Sequence, residues 1–275
     1  MIKEMLSPAQ ENRKWSAVKF EGSLAIMTIV SGDYQWYLPL WFYCIQKELE
    51  GAVPIAYVRG ALDPALPCKD LVTTNSELDP YPTDGYTTAA LRFLHDDHKL
   101  RQYDYCLITD CDMLMMKEDP NLVNQHMRAC CRYGLGCYHN YVSQWVEGQP
   151  RVPGVHFVTR HWWDRTAEAR AAWAKDLQIR GAHSWEWDEL MLGKIINQSG
   201  LTRPPEEPAL WAHHGVHLGD YRRRLENKTP GRHPHAAHQE FIRRFLADPD
   251  FMALVDVCAP HLKLLYETIN LFKTY

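Results

Sequence analysis

The segment Leu24-Ala-Ile-Met-Thr-Ile-Val30 is a continuous apolar run of strand length, stopped by Ser31-Gly32-Asp33. A run without polar alternation suits a strand covered on both faces, as in a sheet sandwiched between helices. The neighbouring segments keep to that frame. Tyr37 to Glu48 is long enough for a helix and carries many large apolar residues, and Val53 to Val58 reads as a second strand. Residues 60–82, rich in Pro and Asp, read as loop. Thr83 or Asp84 is placed to cap a helix running to about His98, with Ala89, Ala90, Phe93 and Leu94 inward. Tyr103 to Thr109 is a third strand. This alternation predicts an α/β fold built on a mainly parallel central sheet flanked by helices.

The second half is more mixed. Asp119-Pro120 predicts a helix start, 134–138 and 155–159 read as strands, and helical patterns cover 161–178, 185–198 and much of 251–272. Residues 1–22 are polar and irregular, which suits a loose arm. With 275 residues, 46% of them hydrophobic, there is material for one sizeable core, and no internal repeat is visible. The expectation is a single domain over 1–275.

A net charge of −4 gives no support to a nucleic-acid partner. Basic residues gather late, at Arg222, Arg223 and Arg224 and again at Arg232, Arg243 and Arg244. Such a cluster suits a phosphate-rich ligand, and it leaves room for peripheral contact with an anionic membrane face. For Arg243 and Arg244 a solvated helix face is the simpler reading. The eight cysteines show no CxxC pair and no zinc-ligand spacing, and several lie inside apolar runs, which points to a reducing compartment. The N-terminus lacks the apolar centre of a signal peptide, and no apolar stretch is long enough to cross a bilayer. A cytoplasmic protein without a transmembrane segment is expected.

Asp110-Cys-Asp112 stands at the end of the third strand, between Leu107-Ile108 and Met113-Leu-Met-Met116. In an extended chain residues two apart share a face, so the two carboxylates would project together and Cys111 the other way. Paired carboxylates in apolar surroundings repel and lose hydration, so one takes up a proton unless something compensates. A divalent cation is the economical compensation, since carboxylate oxygens suit Mn²⁺ and Mg²⁺. Strand ends of open α/β sheets are also where ligands bind. The bland reading of any D-x-D triplet is a solvated surface turn; the apolar flanks argue against it.

The stretch from Tyr103 to Met115, with its D-x-D, resembles the corresponding segment of GT-A-fold glycosyltransferases, the nucleotide-diphospho-sugar transferases. Thr28-Ile-Val-Ser-Gly-Asp-Tyr34 resembles their first strand and loop, and Thr87 to Phe93 the helix before the D-x-D strand. The resemblance covers roughly 24–220. It implies that Asp110 and Asp112 hold Mn²⁺ or Mg²⁺ against a donor diphosphate. It also implies that Thr28, Val30, Asp33 and Tyr34 cradle the nucleoside and that Arg92 reaches the phosphates. The chain then divides into a nucleotide-sugar-binding half, about 24–140, and an acceptor half, about 141–275.

Asp188 and Glu189, at the start of a helix, read structurally as acids favoured by the helix dipole. In function they read as a base for an acceptor hydroxyl, or as carboxylates supporting charge at the anomeric carbon. A late histidine often completes the cation site through an H-x-x-G motif in glycogenin-like members of the superfamily. This chain has His214-Gly215 and His217-Leu-Gly219 instead. His217 is the first choice as ligand and His214 the second, since imidazole suits Mn²⁺ beside carboxylates. Arg222 to Arg224 would meet the diphosphate as it leaves. His233, His235 and His238 read as a surface loop, and His156 as a core histidine.

The function expected is therefore sugar transfer from a nucleotide-diphospho-sugar, with a UDP-sugar the first choice, to a carbohydrate or glycolipid hydroxyl in glycan or polysaccharide synthesis. Whether the anomeric centre inverts or is retained stays open. A sugar-nucleotide pyrophosphorylase would need a Gly-rich basic loop after the first strand, which Ser31-Gly-Asp-Tyr34 lacks. A metal-dependent sugar-nucleotide phosphohydrolase and a non-catalytic carbohydrate-binding protein are the alternatives.

Overall fold

A computed structural model describes residues 18–133, 137–139, 144–146, 149–151, 155–184, 186–201, 214–227 and 236–272. The apolar run at the start is strand β1 (Leu24–Ser31), buried along nearly its whole length. Its residues divide strictly by parity. Leu24, Ile26 and Val30 enter one hydrophobic core and Ala25, Met27 and Ile29 a second, so the absence of alternation reflects two covered faces.

β1 pairs in parallel with β2 (Ala52–Arg59) on one side and β4 (Tyr105–Ile108) on the other, and β2 pairs in parallel with β3 (Val72–Thr74). Beyond β4 the direction changes. β9 (His156–Thr159) runs antiparallel to β4, and β6 (Cys137–His139) runs antiparallel to β9. The order β3-β2-β1-β4-β9-β6 is a mainly parallel α/β sheet with an antiparallel strand near one edge, consistent with the GT-A architecture that the D-x-D segment implied.

Helix α1 (Leu38–Glu48) follows a 3-10 turn at Gly32–Tyr37 and carries Pro39 in its first turn, where a missing amide hydrogen costs nothing. It lies on the first core with α3 (Leu122–Tyr133), as shown by the burial of Leu40, Trp41, Leu122 and Cys130 there. Helix α2 (Gly85–Leu94) lies on the second core, where Ala90, Leu91, Phe93 and Leu94 are buried. Its cap is Asp84, whose carboxylate accepts from the Thr87 amide at 2.7 Å and from the Thr87 hydroxyl at 2.7 Å.

The 161–178 pattern is two helices, α4 (Arg160–Arg165) and α5 (Ala167–Arg180), parted at Thr166, whose hydroxyl donates to the Trp162 carbonyl. α6 (Trp187–Gln198) places Met191, Leu192, Ile195 and Ile196 in the second core. α7 (Leu218–Asn227), α8 (Ala236–Leu246), α9 (Pro249–Cys258) and α10 (Leu265–Phe272) complete the first-core side. The single helix expected over 251–272 is interrupted at Ala259-Pro260, and Leu264 takes φ +62 before α10 begins. The helix expected from Asp119-Pro120 starts at Leu122, with the Asn121 carboxamide accepting from the Asn124 amide at 2.9 Å.

Two short ribbons stand outside the main sheet. β7 (Gln144–Val146) pairs with β8 (Gln149–Arg151), and β5 (Met113–Met115) pairs antiparallel with β10 (Gly215–His217). The expected N-terminal arm through residue 17, residues 134–136, Trp185, Arg232, His233 and His235 lie outside the described residues. His238 belongs to α8 rather than to a loop.

Candidate active site

β4 ends at Ile108, opposite Met27, while β1 continues to Ser31. The Thr109 amide still reaches the Met27 carbonyl at 3.0 Å, and the chain then turns at Asp110–Asp112, where the Met113 amide lies 3.4 Å from the Asp110 carbonyl. The expectation of a single extended D-x-D segment is corrected here. The two carboxylates belong to a turn between β4 and β5, and Cys111 is held inward with its thiol 3.7 Å from the Tyr34 carbonyl.

The β5–β10 ribbon brings a residue from far along the chain to this turn. His217 pairs with Met113, and the next amide, Leu218, donates to the Asp112 carbonyl at 2.8 Å. His217 Nε2 thereby lies 3.5 Å from Asp110 Oδ2 and 3.6 Å from Asp112 Oδ1. The three side chains bring one ligand atom each within 4.8 Å of one another. At the far side of the ring the Asp220 amide stands 3.2 Å from Nδ1 and fixes its plane. Gly219 makes the approach feasible, since a Cβ there would lie 2.4 Å from Asp112 Oδ2.

From the opposite side Arg92, on α2, bridges two carboxylates. One nitrogen donates to Asp110 Oδ1 and the other to Asp188 Oδ2 at 3.0 Å. Asp188 stands in the first turn of α6, and its other oxygen accepts from the Glu189 amide at 2.8 Å. The Arg92 guanidinium, expected to reach the phosphates, is buried and engaged by carboxylates at two nitrogens.

Burial alone would raise every carboxylate in this group. At Asp110 the Arg92 charge and the His217 contact outweigh burial and hold the carboxyl well below the usual range. Among the described residues no guanidinium bonds to Asp112. Burial, opposed by His217 and reinforced by Asp110, leaves it raised. Burial also dominates at Asp188 despite Arg92. At His217 burial is overcome by Asp112 and Asp110, which push the imidazole up to about 9.

A cavity of about 400 Å³ opens beside this cluster. Of the residues expected to form a site, Thr28, Val30, Tyr34, Arg92, Asp110, Asp112, Asp188, Glu189, His217 and Arg222 line it. Arg222 spans the mouth, with a nitrogen 3.2 Å from the Tyr34 hydroxyl and the guanidinium 5.9 Å from the centre of that ring. Asp33 is exposed on the 3-10 turn and does not border the cavity. His214 is elsewhere, with Nδ1 on Glu118 at 2.7 Å and Nε2 on His126 at 2.6 Å, so both ring nitrogens are engaged away from the carboxylate pair. His156 is wholly buried beside Phe93 and Trp162, and Arg243 pairs with Glu240 on an exposed helix face. Arg223, expected with Arg222 at the diphosphate, also borders the cavity, as do Thr88 and Gly219, which were not singled out as site residues from sequence. Gly219 carried a signal in His217-Leu-Gly219, while Thr88 had none beyond its place on the helix.

The donor set fits a divalent cation. Two carboxylates and an imidazole converge, and the one ion-pair partner of buried Asp112 among the described residues is His217.

No known family profile and no curated protein matches the chain. Among solved structures it is similar to the glycosyltransferase GlyE of Streptococcus pneumoniae TIGR4, at TM-score 0.43 and 9% identity over 76% of this chain and 50% of that one. The apo form of GlyE gives 0.42 and 11% over the same shares. The galactosyltransferase LgtC, in complex with donor and acceptor sugar analogs, gives 0.35 and 14% over 62% of this chain and 70% of that one. The chain spans about half the length of GlyE. Likeness at this level says nothing of what the chain acts on.

Proposed function

We propose that the protein is a glycosyltransferase that takes its sugar from a nucleotide-diphospho-sugar, a UDP-sugar as first choice. The observation that carries this reading is the convergence of Asp110, Asp112 and His217 within 4.8 Å at the strand ends of an α/β sheet, beside a cavity of about 400 Å³. Asp110, Asp112 and His217 would hold Mn²⁺ or Mg²⁺. When bound, such a cation neutralises diphosphate charge as the nucleoside diphosphate leaves.

The remaining roles belong to the chain itself. Thr28, Val30 and Tyr34 line the cavity and would cradle the nucleoside. Arg222 offers a guanidinium at the mouth, suited to a departing phosphate. Arg92 and Asp188 tie Asp110 to the start of α6, which presents Glu189 to the same cavity. Asp188 or Glu189 takes a proton from an attacking hydroxyl, or supports the charge that develops at the anomeric carbon. The acceptor is a carbohydrate or glycolipid hydroxyl, approaching from the half of the chain after residue 140, and the product belongs to glycan or polysaccharide synthesis. Among the described residues no helix is long and apolar enough to cross a membrane.

Calorimetric titration of UDP and GDP, with and without Mn²⁺, into the wild type and Asp112→Ala tests the reading. Cation-dependent binding of one nucleotide, lost in the variant, supports it and names the donor base. Absence of binding by either nucleotide under both conditions overturns the donor assignment.

A further inference from the structure

His214 begins the segment that delivers His217, and its backbone sits at φ +44, a region that non-glycine residues rarely occupy. Its neighbours account for that conformation. Gly215 follows at φ +155, so close to the partner strand that a Cβ would lie 2.0 Å from the Leu114 carbonyl oxygen. The His214 carbonyl accepts from the Met116 amide at 2.9 Å. Its ring is wholly buried between Glu118, just past the end of β5, and His126 on α3. His126 in turn stacks on Phe157 of β9, with ring centres 4.6 Å apart and planes within 8°.

The proton inventory of this chain is narrow. Burial raises Glu118, but the His214 contact and the Gln125 amide outweigh it, so the carboxylate is ionised and His214 Nδ1–H donates to it. A single proton then serves the two facing Nε2 atoms of His214 and His126.

We propose that Glu118, through His214 and His126, is the positioning residue that sets the register of the β5–β10 ribbon and thereby aims His217 at Asp110 and Asp112. The ribbon's ladder is only three residue pairs long, and a slip of one residue would turn His217 to the other face. The clamp holds one end, and the Leu218–Asp112 backbone bond holds the other. The inference rests on the proposed cation site.

The test measures Mn²⁺ affinity by electron paramagnetic resonance, thermal stability, and histidine ring ¹⁵N chemical shifts for wild type, Glu118→Gln and Glu118→Leu. Glu118→Gln keeps an acceptor for His214 Nδ1–H and is expected to bind Mn²⁺ as the wild type does. Glu118→Leu should lose about tenfold or more in affinity, the range seen when support behind a metal ligand is removed, and the His217 ring signals should move with it. Glu118→Leu with wild-type affinity and unmoved His217 signals overturns the proposal, even if its melting temperature falls. If the wild type binds no Mn²⁺, the function reading fails instead, and the His217 signals alone decide the positioning role.

Discussion

Gly219 approaches Asp112 so closely that one methyl group on it would sit 2.4 Å from Oδ2 and 2.9 Å from the Cε1 of His217. The atoms in the way are the ends of two side chains rather than backbone, so they can shift, but only by leaving the arrangement that brings them together. Gly219→Ala should therefore cost about 1 kcal/mol of stability and about tenfold or more in Mn²⁺ affinity. Urea unfolding and manganese titration separate the two effects, and wild-type affinity in the variant would count against the Asp110–Asp112–His217 cluster as a cation site.

Arg222 is half-buried at the cavity mouth, and neither Asp110 nor Asp112 depends on it for a hydrogen bond. Arg222→Gln should weaken nucleotide binding in the presence of Mn²⁺ by about ten- to a hundredfold, corresponding to about 1.5–3 kcal/mol for hydrogen bonds to charged groups. Mn²⁺ affinity without nucleotide should hold. Equal loss in both titrations would show that Arg222 supports the carboxylates and not the phosphates.

Asp188 is 7% exposed at its side chain and shares Arg92, itself 5% exposed, with Asp110. Removing it leaves a buried guanidinium with one carboxylate in place of two. Asp188→Ala should destabilise the protein by about 3 kcal/mol, the low end for breaking a buried ion pair. Equilibrium denaturation measures it, and a loss under about 1 kcal/mol, typical of an exposed pair, would mean that the site is wetter than its burial indicates.

Asp96 predicts the acid limb of stability. Burial raises its pKa, but hydrogen bonds from Arg101 and Arg170 more than offset that and bring it to about 2. An unfolded chain returns it to about 3.9. Because the folded value is the lower one, the stabilisation is complete above about pH 4 and is lost as pH falls towards 2. Asp96→Asn should be less stable at neutral pH and lose less between pH 4 and pH 2 than the wild type does. Parallel slopes for the two proteins in that window would refute the assignment.

The parallel core of the fold was legible because β1, β2 and β4 are apolar runs with helical segments between them, and a buried parallel strand writes itself locally. Asp84 as a cap and the acids opening α6 were legible for the same reason, since both are decided within one helical turn. The β5–β10 ribbon was not. Met113–Met115 reads as generic core, and its partner lies a hundred residues away, so no local pattern announces the pairing. The turn geometry of Asp110–Asp112 follows from that ribbon, which is why an extended D-x-D was expected in its place. His217 was reachable from chemistry, through the fit of imidazole to a carboxylate pair, whereas His214 carries the same chemistry and only tertiary contacts divert it to Glu118. Pro260 was a readable stop within the long C-terminal helical pattern.

The six residues of the β5–β10 ribbon bond to one another and not to the six-stranded sheet. Opening them breaks few hydrogen bonds but uncovers Met113, Leu114, Met115 and Val216, all buried in the first core, so amide exchange from the ribbon should be slow and tied to opening of that core. His217 rides on that ribbon and the two aspartates on the turn beside it. The site is thus held in shape by the packing beneath it, and whatever binds there is linked to the integrity of the first core.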